Sequence, residues 1–546
     1  LAVAAALLTG LILRLWGIQW GFPRVDLSPD ELNVWNISAR LSWSDLNTRF
    51  YNYSGLTFYL NFLGAQVARL CGVELLPSTL LLINRLWSVF FGTLTILLAF
   101  FAARDFFESR KAGAWAAWFV ALLPIHVWHS HFGTSDVGLV FWVTAAFWLA
   151  VRAYRKPLLR RFLLAGLTVG IAIGVKFNGS LAGISLVVAA LAARHERRIP
   201  RLSHALGLIL IAGGAALVGF FLVSPFSLIH LKATVAAFFF ESAHVKGGHY
   251  GFDLSPAGFP YFPYVYQLFA AFPFAFGLPL YLITLASLPY FAIRCAKGRV
   301  LLGFSFAALY LGIVCSWKFV PTRYLLPVLP ILLVLSSYGV ARLFVFNDSR
   351  GKKACLWSLA VVALGLTLAY DLSTVARFRR DTRLCAARWA SATLPPGRRI
   401  VLVEPIFDRG YIVPHGTPGP MPFRVPLDQV MEKAYMPLFD AGRFDVLARD
   451  LRRTLTEVER RQLGRGDLLC LSSMVYLRDY RLGAKAADRV RGWNSIRKNP
   501  ARFRRVKVFD APFLGRGLFM ALDPMYTADF VSPTIEFYEP LTRKAP

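Results

Sequence analysis

The sequence predicts a polytopic α-helical membrane protein with about 11 transmembrane helices, ending in a small soluble α/β domain. Three observations predict it. The chain is 56% hydrophobic and 17% charged, with a mean hydropathy of +0.50, which is outside the range of a soluble globular protein of 546 residues. Apolar runs near the length needed to cross a hydrocarbon core recur through residues 1–372. After residue 375 such runs stop, and short strand-like and helix-like segments alternate.

The expected spans are 1–18, 80–102, 112–127, 135–152, 161–175, 178–193, 204–224, 261–292, 299–316, 322–345 and 354–372. Residues 1–18 read as a span rather than a cleavable leader, because no basic stretch or small-residue cleavage site accompanies them. Residues 56–70 are apolar but short and read as an interfacial helix. The expected organisation is a membrane domain over 1–375, with long loops at 19–79 and 225–260, and a soluble domain over 376–546. In that domain, strands are expected at Arg399–Val403, Leu468–Leu471, Arg505–Phe509 and Thr534–Tyr538. Helices are expected at Arg383–Thr393, Phe444–Leu451 and Leu455–Leu463.

The loops alternate in charge. Arg104/Arg110/Lys111, Arg152/Arg155/Lys156, Arg194/Arg197/Arg198, Arg294/Lys297/Arg299 and Arg342/Arg350/Lys352 form one basic set. Loops 128–134, 176–177 and 317–321 and the two long loops carry few cations. The positive-inside rule puts the first set, and the N-terminus, in the cytoplasm. The loop at 19–79, the loop at 225–260 and the C-terminal domain then face outward. A net charge of +30 is explained by these loops and by a basic tail suited to anionic headgroups, so membrane lipids are expected partners and nucleic acid is not. The six cysteines show no CxxC and no metal-ligand spacing; Cys385 and Cys470 share the tail, and pairing between them is left open.

Ionisable groups near span ends are costly to bury and often functional. Asp30 and Glu31 follow Pro29 in what reads as an ordered, aromatic-rich loop after the first span. The segment from His126 to Asp136 brings three histidines and an acid to one short loop. Lys176, Lys318 and Arg323 stand at span ends, and Glu241, His244 and His249 lie in the second long loop. Each has a plain reading as solvated charge or snorkelling cation, but together they collect on one face. Glu241-x-x-His244 has the i,i+3 spacing of a helical metal pair, so His131, Glu241, His244 and His249 are candidates for substrate contact or for a divalent metal ion.

In order along the chain stand Pro29-Asp30-Glu31, Asn84-Arg85-Leu86, Leu123-Pro124 through His131 to Asp136, Gly170 to Lys176-Phe177, Arg323-Tyr324-Leu-Leu-Pro327, and Pro533-Thr534-Ile-Glu536. This set resembles the GT-C superfamily of membrane glycosyltransferases. The branch most similar holds the dolichyl-phosphate-mannose protein mannosyltransferases and the bacterial lipid A aminoarabinose transferase. Ser28 stands where many relatives carry His. The resemblance implies a GT-C fold and transfer of a sugar from a polyprenyl-phosphate donor to a hydroxyl of a lipid, glycan or protein acceptor, with inversion, in the cell membrane. Asp30 would be the base, Glu31 would orient the acceptor or hold a metal, and Asp136 would position Asp30 or the sugar. Lys176, Lys318 and Arg323 would bind the donor phosphate. The alternative is a transporter or flippase of lipid-linked sugars, against which stand the lack of repeated halves and the placement of charge at span ends.

Overall fold

The computed structural model describes residues 1–22, 28–247, 263–317, 321–346, 349–403, 443–464, 466–482, 486–514, 516 and 531–541. They fall into two compact units, residues 1–247 with 263–375, and residues from 376 onward.

The first unit is a helical bundle. Its helices are α1 (Ala2–Leu15), α2 (Pro29–Ala39), α3 (Leu56–Leu70), α4 (Pro77–Phe107), α5 (Arg110–Ala121), α6 (Pro124–His129), α7 (Ser135–Arg155) and α8 (Leu159–Val175). A 3-10 turn (Phe177–Ala182) leads into α9 (Gly183–His195), followed by α10 (Leu202–Val223), α11 (Pro225–Ile229) and α12 (Leu231–Gly247). Then come α13 (Pro263–Tyr266), a π-helical turn (Gln267–Ala271), α14 (Phe272–Phe276), α15 (Leu278–Arg294) and α16 (Lys297–Val314). A 3-10 turn (Thr322–Leu325), α17 (Leu329–Phe346) and α18 (Arg350–Arg379) complete it. Among the described residues, six helices are long and apolar enough to cross a membrane, with cores at Pro77–Phe107, Ser135–Arg155, Phe177–His195, Leu202–Val223, Lys297–Val314 and Arg350–Arg379. Four shorter apolar helices accompany them, at Ala2–Leu15, Tyr264–Phe276, Leu278–Arg294 and Leu329–Phe344.

Three expectations for this first unit need correction. The stretch expected as one span over 261–292 is broken at Gly277, whose φ of +70° suits glycine and whose hydrogen side faces Pro124 and Tyr370. The run at 112–127 divides at Leu122–Leu123, because Pro124 starts α6 as its first residue and lacks the N–H needed to continue α5. Asp30 and Glu31 lie in the first turn of α2, not in a loop: Pro29 sits at N1 and two acids follow it, a favourable start against the helix dipole. Residues 56–70 form α3.

Helices α8 and α10 pack closely because each presents small residues to the other. A side chain at Gly166 or Gly170 would strike the carbonyls of Ala212 and Ala216, and one at Gly219 would strike that of Leu167. This spacing of small residues lets helix backbones approach in a bilayer. The contact fixes the C-terminal end of α8, where Lys176 emerges.

The second unit holds a five-stranded sheet of β1 (Arg399–Val403), β2 (Asp445–Arg449), β3 (Leu468–Ser472), β4 (Phe503–Phe509) and β5 (Ile535–Pro540), in the order β2-β1-β3-β5-β4. β1 runs parallel to β2 and β3, while β5 runs antiparallel to β3 and β4. Period-two alternation gives two cores. Ile400, Leu402, Leu468 and Cys470 pack with Ala386 and Ala390 of α19 (Thr382–Thr393). Val401, Val403, Leu469 and Leu471 pack with Leu451 of α20 (Leu451–Glu459), Tyr476 of α21 (Ser473–Leu482) and Trp493 of α22 (Ala487–Arg497). The helix expected at Phe444–Leu451 is instead strand β2: Val446 fills the α19-side core, and the helix begins only at Leu451, capped by Asp450. Cys385 and Cys470 are both free thiols.

Glu536, the acid of the last motif, is anchored inside this unit. Arg497 grips it with Nε at 2.8 Å and Nη2 at 3.0 Å, and Tyr538 donates its hydroxyl at 3.1 Å.

Candidate active site

The ends of α2, α6, α7 and α8 and the turn before α17 bring together most of the sequence-predicted residues. Asp30 Oδ2 accepts a hydrogen bond from Arg323 Nη1. Asp136, in the first turn of α7, accepts from Lys176 Nζ at 2.8 Å and from the Thr134 hydroxyl at 3.3 Å. Lys176 lies 5.4 Å from the ring centre of Tyr53 and 5.6 Å from that of Tyr324, so its charge is held between two aromatic faces. The fields of Asp136, Arg323, Asp30 and Lys176 all reach His129, and those of Asp30, Arg323 and Glu241 reach Tyr53. One electrostatic cluster therefore holds two carboxylate–cation pairs, a histidine and two tyrosines.

The adjacent acids separate sharply. Consecutive helix residues point about 100° apart. Asp30 keeps 35% of its side chain exposed, beside Arg323 at 26%. Glu31 is 1% exposed and its partner Arg85 2%. Arg85 grips Glu31 with Nε at 2.8 Å and Nη2 at 3.0 Å, while its Nη1 donates to the carbonyls of Ile18 and Trp20. Gly133 N–H adds a third bond to Glu31 at 2.7 Å. Glu31 thus ties α2 to α4 and to the loop before α7.

The remaining predicted residues are placed as follows. His131 is buried between the carbonyls of Val127 (2.9 Å) and Trp16 (3.1 Å), away from open space. Glu241 accepts from Asn52 at 2.6 Å, and His244 stacks on Phe240 along the same helix, α12. Lys318 and His249 lie outside the described residues. Among the described residues no group of three His, Cys, Asp or Glu comes together to hold a metal. Asp30, Glu31 and Asp136 each already face a cation, so this donor set does not fit a divalent ion.

Arg85 and Tyr324 stand in the ordered motifs and His129 in the histidine-rich loop, but the sequence assigns no role to them or to Tyr53. For Arg85 a signal exists: an arginine in the early turns of an apolar span needs a buried partner. Two orphan groups also mark the site. Among the described residues, Nε of Arg323 and Nε2 of His129 are buried without a hydrogen-bond partner, which suits a site that receives a polar ligand.

Burial pushes the His129 imidazole down to about 4. It stays neutral in the folded protein while an unfolded chain protonates it near 6.5. Its contribution to stability is therefore present above about pH 6.5 and is lost as pH falls toward 4, on the order of 3 kcal/mol when complete. The unfolding temperature of the purified protein in detergent should drop between pH 7 and pH 4.5. An unchanged midpoint would count against neutral burial of this ring.

Residues 75–228 match the family model described as dolichyl-phosphate-mannose-protein mannosyltransferase. No curated protein sequence matches at a significant level. Among solved structures, the apo oligosaccharyltransferase of Archaeoglobus fulgidus is 12% identical with a TM-score of 0.51, covering 99% of this chain and 88% of its own. AglB from the same organism, solved with an inhibitory peptide and a dolichol-phosphate, is 16% identical with a TM-score of 0.49, covering 74% of this chain. ArnT from Cupriavidus metallidurans, bound to undecaprenyl phosphate, is 16% identical with a TM-score of 0.48, covering 87% and 93%. The chain spans only 62% of the length of that AglB structure.

Proposed function

We propose that this chain, a GT-C protein by its fold and by the mannosyltransferase-family match over residues 75–228, moves a sugar from a polyprenyl-phosphate carrier to an acceptor hydroxyl. The observation that carries the reading is the pair of coupled ion pairs, Asp30–Arg323 and Asp136–Lys176, at one end of the helical bundle. A lipid phosphate needs cations at an interface, and an attacking hydroxyl needs a nearby carboxylate. This site supplies both within one cluster.

In the proposed reaction the acceptor oxygen attacks the anomeric carbon from the side opposite the phosphate. The bond between that carbon and the phosphate oxygen breaks, and its electron pair leaves with the polyprenyl phosphate. The acceptor proton passes to Asp30. The configuration at the anomeric carbon inverts. Charge grows on the leaving phosphate, where Lys176 and Arg323 can meet it in a low-dielectric setting. Arg323 is suited to bridge the two halves, because Nη1 holds Asp30 while Nε has no hydrogen-bond partner among the described residues. Asp136 keeps Lys176 aimed, and Lys318 is a third candidate for the phosphate. Glu31 acts at one remove, by fixing the helix that carries Asp30. No step is routed through a metal.

The charge pattern of the loops supports an outer-face location for this end of the bundle and, separately, for the C-terminal unit. The acceptor is a lipid, glycan or protein hydroxyl.

The test is turnover. Purified protein in bilayer discs, given a labelled polyprenyl-phosphate sugar and an acceptor-containing membrane extract, should release free polyprenyl phosphate. Arg323→Ala should lower the rate by about 10²–10³-fold, with Arg323→Lys in between. Translocation of the intact lipid without release, or full turnover by Arg323→Ala, would contradict the reading.

A further inference from the structure

At the far end of α7 and α4 from the candidate site is a second basic cluster. Nineteen residues separate Asp136 from Arg155 on α7, about 30 Å along a helix axis, which is close to the thickness of a hydrocarbon core. Here Arg104, Arg152, Arg155, Lys156 and Arg161 line a recess of ≈ 350 Å³, with Trp148 and Asp105 completing its wall. Topology-setting cations need only stand on a surface; these line a concavity.

Their charge is not balanced. Asp105 is shared between Arg104 Nε and the Trp148 indole N–H, both at 2.8 Å. Among the described residues Arg155 pairs with Glu108 alone, at 3.1 Å, and Glu108 is shared with Arg299. Arg161 donates to the carbonyls of Arg152 and Lys156, which are neutral. Arg152 lies over the Trp148 ring at 5.3 Å. Among the described residues Arg152, Lys156 and Arg161 make no ion pair with a carboxylate, and the field of Asp105 is an acidic influence that reaches Arg161. Helix α8 begins beside them with no side-chain cap, so its first N–H groups also add partial positive charge.

The apolar surroundings say what kind of anion fits. Leu158, Leu159, Leu163 and Leu164, at the start of α8, are all exposed large side chains. A ligand with a negatively charged head and hydrocarbon tails would satisfy both. We propose that this recess binds the phosphate headgroup of an anionic phospholipid, whose acyl chains lie along the exposed leucines of α8. The site is distinct from the candidate active site and does not depend on the reaction assigned there.

The test is lipid binding to the full-length protein by native mass spectrometry, with phosphatidylglycerol and phosphatidylcholine as probes. Phosphatidylglycerol should bind at least tenfold more tightly. Arg152→Gln with Lys156→Gln should lose most of that preference, at about fivefold per cation removed, while Arg152→Lys with Lys156→Arg keeps it. Should the double variant fold poorly, Lys156→Gln alone, at an exposed position, should show the single fivefold step. Unchanged preference in Lys156→Gln and in the double neutral variant would overturn the proposal. So would displacement of the lipid by millimolar inorganic phosphate, which would make the recess a free-anion site.

Discussion

Asp30→Asn should lower sugar transfer by about 10²–10⁴-fold, the range general-base groups contribute, while the protein expresses and unfolds as the parent does. The amide keeps the shape of the side chain and a carbonyl oxygen that can accept from Arg323. It loses the capacity to take the acceptor proton. Because 35% of the Asp30 side chain is open, its replacement leaves no buried charge unpaired apart from the partly exposed Arg323. Binding of the donor should therefore survive, and the loss should appear in kcat more than in KM. A variant that folds normally and retains full turnover would remove Asp30 from the reaction.

Arg85→Ala should do the opposite: destabilise the first unit by about 3–5 kcal/mol, the cost of leaving one partner of a buried ion pair alone. Its loss strips Glu31 of two bonds and leaves the carbonyls of Ile18 and Trp20 unsatisfied. The indole of Trp20, 4.6 Å from the guanidinium carbon, loses its cation as well. Thermal unfolding in detergent reads the effect. Activity should fall in proportion to the folded fraction, together with a loss of precision at Asp30. If Arg85→Ala melted like the parent yet were inactive, Arg85 would belong to the chemistry and the division of labour between the two acids would be wrong.

That division was not readable from Pro29-Asp30-Glu31. Two neighbouring acids look equivalent until the helix that carries them is placed against its neighbours. Once α2 packs on α4, one carboxylate meets Arg85 in the interior and the other meets Arg323 at the rim. The pairing of Asp136 with Lys176 was closer to legible, since both are ionisable groups at span ends on one face. The tyrosines could be noted only as interfacial aromatics, because what makes Tyr53 and Tyr324 part of the site is Lys176 between them. In the fold, apolar runs marked most helices of the bundle, and errors fell where tertiary packing overrides local pattern. Gly277 breaks one run because the chain must turn beside Pro124. β2 replaces a helix because the edge of the sheet offered its backbone a partner in β1.

The central claim is that the two ion pairs form the place where a lipid-linked sugar reacts. It is tested most directly by a density map of the protein in a bilayer disc with a polyprenyl-phosphate sugar bound to the Asp30→Asn variant. The account predicts phosphate density against Lys176 and Arg323, with the anomeric carbon facing residue 30. Phosphate density away from both cations, with the sugar remote from residue 30, would contradict it.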